Sequence, residues 1–182
     1  DGRCVGDSQL MRRALSYVRS FDGVVAQHSQ DTQLAGPGAC CHESEWSGRL
    51  GLPGWPSQAE SIIVARDVQL AELTDSRVHV CHVSTAESVD IVRWAKKRGI
   101  KVTAEATPHH LLLDTPLVAG YDTTFKVNPP LRTSEHLEAV REALADGTID
   151  VVATDHAPHP TEAKERPFEE APSGMLGLET AL

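Results

Sequence analysis

V-V-A-T-D-H-A-P-H-P, which spans Val151–Pro160, is the stretch that decides the interpretation of this chain. Its β-branched and small residues suit a buried strand, and Pro158 ends it. Asp155 then lies at the carboxyl end of the strand, with His156 and His159 in the loop beyond it. In a (β/α)8 barrel the catalytic residues lie at that end of the strands. The alternative is an aspartate that caps the next helix, beside two loop histidines without a chemical role.

Two further strands end in the same way, at His28 and at His82. Val24–His28 and Val78–Val83 are short β-branched runs, and amphipathic helices of ten or more residues separate the strands. This alternation predicts a parallel sheet with crossover helices. No Gly-x-Gly-x-x-Gly follows a strand, so a dinucleotide-binding fold is unsupported, although a doubly wound sheet stays an alternative. We predict an α/β fold: a partial TIM-type (β/α)8 barrel, roughly its second half, with the first strands missing.

Local patterns give the predicted elements and their faces. Helices are predicted at 7–21, 57–73, 86–98 and 134–145, with a short helix near 43–50. Further strands are predicted at 101–107, 124–127 and 150–155. Alternation along the strands predicts that His28, His82 and Asp155 face the barrel interior, whereas His79 packs against the helices. The apolar stripe of the helix at 57–73 is predicted to be Ile62, Ala65, Leu70 and Leu73, widened by Val64 and Val68.

The composition excludes several classes of function. A formal charge of −9 argues against a nucleic-acid surface. No apolar run is long enough to span a membrane, and no signal peptide is visible. The four cysteines lack zinc-finger spacing, and adjacent Cys40 and Cys41 have poor disulfide geometry. These features predict a reducing, cytoplasmic location.

The three polar strand ends predict a metal site. Two imidazoles and a carboxylate that meet at the mouth of a barrel form a ligand set for a divalent metal with open positions. For His28 or His82 taken singly, a hydrogen-bonded core histidine is an equally good interpretation. The agreement of three strand ends in position favours the metal site.

The sequence also resembles the bacterial type I dihydroorotases of the amidohydrolase superfamily. The motifs that carry the resemblance are T-D-H-A-P-H at 154–159, V-C-H-V-S at 80–84, E-A-T-P-H-H-L-L-L at 105–113, V-N-P-P-L-R at 127–132 and P-S-G-M-L-G-L-E-T at 172–180. The resemblance covers essentially the whole chain in order. Singly, T-P-H-H-L and D-H-A-P-H also occur in hydantoinases and allantoinases.

The resemblance implies a metal site built from four residues. Asp1 matches an acid that bridges two metals, where relatives carry a carboxylated lysine. His28 and His82 match the two histidines of the second metal. Asp155 matches the acid that binds the first metal and acts as the catalytic base. The implied cofactor is Zn²⁺, with one or two ions per subunit.

The resemblance likewise implies a substrate site and a reaction. Asn128 and His159 match side chains that contact dihydroorotate, and Ser173 and Gly174 match a loop whose backbone meets the ring. The implied reaction is the reversible ring opening of (S)-dihydroorotate to N-carbamoyl-L-aspartate in pyrimidine biosynthesis, by a metal-bound hydroxide with Asp155 as general base. A hydantoinase or allantoinase is the alternative within this class. A non-catalytic homologue that scaffolds aspartate carbamoyltransferase is the alternative outside the class of cyclic amidases. Each of these alternatives is compatible with an oligomer of identical subunits.

The chain departs from the pattern of this family in three places. It has His28-Ser29-Gln30 where His-Ala-Glu or His-Cys-Glu is usual, and Ser44 where glycine is usual. We expect neither change to touch a ligand position. The His-x-His-x-Arg of the first strand, which would supply two metal ligands and a substrate arginine, is missing from the sequence. We therefore expect residues 1–182 to be part of a single amidohydrolase barrel domain, truncated at both ends and inactive alone.

Overall fold

A computed structural model describes residues 4–181 of the chain, so Asp1 lies outside the described residues. The strands are β1 (Val24–Gln27), β2 (Cys41–His42), β3 (Gly54–Trp55), β4 (Arg77–Val80), β5 (Val102–Ala106) and β6 (Val151–Val152). Four of them form a parallel sheet in the order β1-β4-β5-β6, and β2 pairs with β3 in a separate parallel pair. The predicted α/β fold with a parallel sheet is confirmed.

Helices lie between successive strands of the larger sheet, as parallel pairing requires, and one further helix precedes the first strand and one follows the last. The helices of the described residues are α1 (Ser8–Arg19), α2 (Thr32–Ala35), α3 (Glu45–Leu50), α4 (Gln58–Thr74), α5 (Ala86–Lys97), α6 (Pro108–Leu112), α7 (Ser134–Ala145) and α8 (Thr161–Lys164). Asp7 caps α1 by accepting from the Leu10 amide, and α5 is followed by Gly99 at φ +75°. The helices predicted from periodicity are therefore confirmed to within two residues at most ends. Among residues 4–181, no helix is both long and apolar enough to cross a membrane.

The hydrophobic core lies between one face of the four-stranded sheet and the long helices. It contains strand residues such as Val78, Val80, Val102 and Ala104, and helix residues such as Met11, Leu15, Val64, Val68, Val92 and Val140. The opposite face of the sheet carries Val24, Ala26, Thr103 and Glu105, which are partly or largely exposed. In a (β/α)8 barrel the helices surround the strands, so this opposite face is the barrel interior.

The predicted faces of β4 are wrong. Val78 and Val80 are each 1% exposed and pack in the core against the helices. His79 lies on the interior face, where its ring nitrogens are 2.8 Å from Thr103 Oγ1 and 2.9 Å from Glu105 Oε2. The β-branched residues of β4 face the helices, because the layer between the sheet and the helices is where apolar side chains are buried most fully. His82 lies beyond the strand at φ +37°, so strand alternation does not extend to it.

Three smaller predictions also fail. The predicted strand at 124–127 is instead a 3-10 helical turn, Thr123–Phe125. Asp122 caps this turn, because its side chain accepts from the Thr124 amide. The buried face of α4 contains Ile63, Val64, Val68 and Ala71, whereas Ile62 and Leu73 of the predicted stripe are exposed. A continuous apolar run leaves the helix phase ambiguous, and the tertiary contacts decide it. Finally, β6 is short and half-exposed because it is the edge strand of the described sheet.

Candidate active site

The predicted site residues within the described chain line one cleft at the carboxyl ends of the strands. The cleft has a volume of about 330 Å³. Its polar lining consists of His28, His82, Asn128, Asp155, His159 and the Ser173–Gly174 loop. His28 follows β1, His82 follows β4 and Asp155 follows β6, so a parallel sheet brings them to one edge. Only the predicted ligand Asp1 has no described position.

The two histidines of the cleft face each other through specific nitrogens. The Nδ1 atom of His28 lies 3.0 Å from the Nε2 atom of His82, and both side chains are buried. Zn–N bonds of about 2.0–2.1 Å in a tetrahedral site place adjacent ligand nitrogens about 3.3 Å apart. Burial, with a smaller effect of His82, lowers the pKa of His28 and so favours the neutral ring that metal ligation requires. The pair therefore fits a shared divalent metal.

Two site residues adopt backbone conformations that L-amino acids avoid. His82 has φ +37° and Asp155 has φ +44°. Such left-handed conformations cost free energy and concentrate at functional sites. The amides before and after His82 hold the turn, because the Cys81 amide donates to the Gln27 carbonyl at 3.0 Å and the Val83 amide donates to the Glu105 carbonyl at 2.8 Å. The turn thus directs the His82 ring into the cleft.

Glu105 on β5 lies beneath this turn and was not singled out from the sequence. One carboxylate oxygen accepts from the His82 amide at 3.2 Å, and the other is 2.9 Å from His79 Nε2. Burial alone would raise the pKa of Glu105, but interactions with His79, and smaller ones with His82, together outweigh it and lower the pKa. Burial raises the pKa of the nearby Cys81 thiol to about 11.

His79, Cys81 and Glu105 form a second group with metal-ligand chemistry. Their ligand atoms all lie within 4.8 Å of one another, so the group could hold a metal ion. The sequence contained a signal for it, since the two-residue spacing of His79 and Cys81 places both side chains on one face of the strand. The wrong face assignment of β4 concealed that signal.

The substrate side of the cleft is built from two loops. The Nδ2 group of Asn128 donates to Gln30 Oε1 at 3.3 Å, while its buried Oδ1 has no hydrogen-bond partner within residues 4–181. His159 Nε2 donates to the Ser173 carbonyl at 2.9 Å. Gly174 has φ +141°, and an added Cβ would lie 2.6 Å from the Ala157 carbonyl oxygen. Only glycine permits this close approach of the two loops.

A buried ion pair supports the loop that carries Asn128. Arg132 is 2% exposed, and its Nη2 lies 3.7 Å from Glu60 Oε2 on α4. The guanidinium also donates to Ser84 Oγ at 3.0 Å and to the Trp55 carbonyl at 3.1 Å. Glu60 in turn accepts from the Ser84 and Thr85 amides at 3.1 and 3.2 Å. The network joins the loop after His82 to the loop after Asn128.

Burial lowers the pKa of several further histidines near the cleft. His109 and His110 on α6 are 4% and 3% exposed, and burial lowers the pKa of His109 to about 4. Both ring nitrogens of His109 lack a hydrogen-bond partner among the described residues. His110 instead contacts the Thr107 hydroxyl and the Pro129 carbonyl, which makes it a structural link between two cleft loops.

Comparison with known proteins agrees with this geometry. A family model described as dihydro-orotase-like matches residues 1–88. Dihydroorotases of Leifsonia xyli, Streptomyces coelicolor and Mycobacterium tuberculosis are 64%, 62% and 53% identical over all 182 residues. The chain spans only 41–42% of the length of these curated relatives.

Solved structures show the same architecture. A D-hydantoinase from a Thermus species superimposes with a TM-score of 0.80 at 26% identity, over 96% of this chain and 40% of its own. An L-hydantoinase from Arthrobacter aurescens gives a TM-score of 0.83 at 25% identity, over 97% and 40%. The fold and the cleft define a partial (β/α)8 barrel of the amidohydrolase type. The sequence matches add that the chain is similar along its whole length to dihydroorotases, and over residues 1–88 to the dihydro-orotase-like family model.

Proposed function

We propose that the protein to which this chain belongs is a dihydroorotase that interconverts (S)-dihydroorotate and N-carbamoyl-L-aspartate. The observation that carries the proposal is the cleft in which His28, His82, Asn128, Asp155 and His159 meet. The high identity to dihydroorotases along the whole chain supports the choice of substrate. By this proposal the reaction is a step of pyrimidine biosynthesis.

The donor set of the cleft fits a divalent metal, and we propose Zn²⁺, with one or two ions per subunit. His28 Nδ1 and His82 Nε2 would hold one ion, and Asp155, together with Asp1, would contribute carboxylate ligands. When bound, such an ion polarises an amide carbonyl and lowers the pKa of water. The converging nitrogens of the two imidazoles are the feature of this chain that fits that ion.

The side chains of the cleft would divide the remaining tasks. Asp155 would take the proton from the attacking water and return it to the leaving ring nitrogen, so that one carboxylate acts as base and then as acid. Asn128 Oδ1, which has no partner among the described residues, is free to accept from a substrate N–H group. His159 and the Ser173–Gly174 backbone would bind the ring from the opposite side.

A hydantoinase is the alternative within the same class, since hydantoinases share the fold. Their identity to this chain is 22–26%, compared with 53–64% for the dihydroorotases. The two activities are separated by assaying hydantoin and allantoin beside dihydroorotate. Binding to aspartate carbamoyltransferase and self-association are tested by co-purification and by the mass of the complex in solution.

The test of the proposal is ring opening of dihydroorotate by the complete protein loaded with zinc. We expect Asp155→Asn to abolish turnover, while Asp90→Asn on the exposed surface of α5 leaves it unchanged. Turnover of hydantoin but not of dihydroorotate would replace the proposed substrate. A complete protein that binds no metal would overturn the enzyme proposal in favour of a scaffold.

We further propose that residues 1–182 form part of one barrel domain and have no turnover when expressed alone, because the His-x-His-x-Arg ligands are not among them. Measurable ring opening by the isolated chain would contradict this. Free thiols at Cys4, Cys40, Cys41 and Cys81 support a reducing, cytoplasmic location. Localisation of a tagged complete protein tests that location.

A further inference from the structure

Gln30 is the side chain that lies directly behind the candidate metal ligand His28. Its Oε1 atom is 2.7 Å from His28 Nε2, which is the ring nitrogen that points away from His82. The same oxygen is 3.3 Å from Asn128 Nδ2. Gln30 is one of the positions at which the chain departs from the family pattern, and the loop folds its side chain back onto the His28 ring.

The direction of these hydrogen bonds fixes the state of the His28 ring. An amide oxygen is only an acceptor, so His28 Nε2 must carry the proton that it donates. The lone pair then lies on Nδ1, which faces His82 Nε2 at 3.0 Å. A metal-binding histidine is commonly fixed in this way by an acceptor on its other nitrogen.

Within residues 4–181, His82 has no equivalent partner. Its Nδ1 atom is buried and makes no hydrogen bond within the described part of the chain. The orientation of the histidine pair therefore depends on Gln30 more than on any side chain behind His82. The Gln30 oxygen also contacts Asn128, because it accepts from the amide nitrogen, while the buried Oδ1 atom has no hydrogen-bond partner among the described residues.

The backbone holds Gln30 firmly on both sides. The Cys4 thiol donates to the Gln30 carbonyl oxygen. The next residue, Asp31, caps α2 by accepting from the Gln33 and Leu34 amides at 3.0 Å each, and its own amide donates to the Ala59 carbonyl. Gln30 is thus placed before any ligand binds, as a preorganised site requires.

We propose that Gln30 is a positioning residue, which sets the tautomer of His28 for metal binding and orients Asn128 toward the substrate. The proposal rests on the proposed metal site of this cleft. Because Gln30 supplies a neutral oxygen, it fixes the ring without adding a negative charge beside the metal ligands. Because Gln30 Oε1 contacts both His28 and Asn128, this one atom would link metal binding by His28 to substrate binding by Asn128.

The experiment compares Gln30→Leu and Gln30→Glu in the complete protein, with Gln33→Leu on exposed α2 as the matched control. We expect Gln30→Leu to weaken zinc affinity, measured by chelator competition, by about 10- to 100-fold. It should also raise KM for dihydroorotate, because Asn128 loses its partner. Gln30→Glu retains the acceptor and should rescue zinc affinity, and Gln33→Leu should change neither quantity.

A second measurement does not depend on metal or turnover. Nitrogen-15 NMR of the metal-free protein reports which ring nitrogen of His28 is protonated, with the signal assigned by its loss in His28→Asn. We expect the Nε2–H tautomer in the parent and in Gln30→Glu, and a mixture of tautomers in folded Gln30→Leu. An unchanged tautomer and unchanged zinc affinity in folded Gln30→Leu would overturn the role of Gln30. A parent that binds no zinc but shows the Gln30-dependent tautomer would instead overturn the metal site alone.

Discussion

The Nδ1 atom of His28 lies 3.0 Å from the Nε2 atom of His82, although 54 residues separate the two histidines in sequence. The strands that precede them are direct neighbours in the sheet, paired in parallel with Gln27 opposite Val80. Parallel pairing brings the carboxyl ends of both strands to one edge, and the turn at φ +37° then swings His82 toward His28. The histidine pair is therefore a product of strand register and local turn geometry.

We expect His82→Ala to reduce zinc affinity of the complete protein by more than about 100-fold, since a ligand contributes more than its outer partner does. His159→Ala is the matched control, because His159 contacts the Ser173 carbonyl on the substrate side of the cleft. It should retain zinc and raise KM. Metal content and chelator competition measure the first effect, and steady-state kinetics the second. Equal zinc loss in both variants would contradict this division of the cleft.

The buried pair of Glu60 and Arg132 predicts a large effect on stability. Glu60→Gln removes the main counter-charge of the buried Arg132 guanidinium, and we expect it to lower the free energy of unfolding by about 3–5 kcal/mol. Glu72→Gln on the same helix removes an exposed ion pair with Arg98 and should cost about 0–1 kcal/mol. Urea denaturation of both variants gives the comparison. Similar values for the two would show that the buried pair contributes no more than a surface pair.

Gly174 predicts a specific effect on substrate binding. An alanine there would adopt φ +141° and press its Cβ against the Ala157 carbonyl, which displaces the loop that borders the cleft. A strain of about 1–3 kcal/mol corresponds to about a 5- to 150-fold loss in kcat/KM. Gly48→Ala in α3, where an added Cβ meets no atom within 4 Å, is the control. A Gly174→Ala enzyme with parental kcat/KM would exclude a role for this close approach.

The buried histidines predict that acid destabilises the fold. Burial, with a smaller contribution from Arg132, lowers the pKa of His42 to about 4, and burial lowers that of His109 to about 4. The unfolded value is about 6.5, so below that pH the unfolded state takes up protons that the folded state does not. The stability conferred by the neutral rings is fully present above pH 6.5. It is lost as the pH falls toward 4, by up to about 3 kcal/mol for each ring.

His109→Phe tests this directly. The ring nitrogens of His109 have no hydrogen-bond partner among the described residues, so an apolar ring of similar size should keep the stability at pH 7. Between pH 6.5 and 4 the variant should lose less stability than the parent, measured by urea denaturation at each pH. An identical pH dependence in the two proteins would show that His109 does not contribute.

The sequence determined the class of fold and the residues of the cleft. Apolar runs alternating with helical periodicity predicted the parallel sheet, and the polar ends at His28, His82 and Asp155 predicted where the cleft lies. These predictions hold because they depend on local pattern and on one general property of parallel sheets, namely that their carboxyl ends share an edge. The resemblance to dihydroorotases, now supported by identities of 53–64%, rested on short motifs that are contiguous in sequence.

Only the tertiary structure decided the faces and the partners. Val78 and His79 alternate in sequence under either assignment, and the helices packed on the sheet decided that the valine is buried and the histidine faces the interior. In the same way, no sequence pattern could reveal that Gln30 contacts both His28 and Asn128, which lie on different loops. Contacts between distant segments depend on the packing of the whole chain, and local propensity does not contain that information.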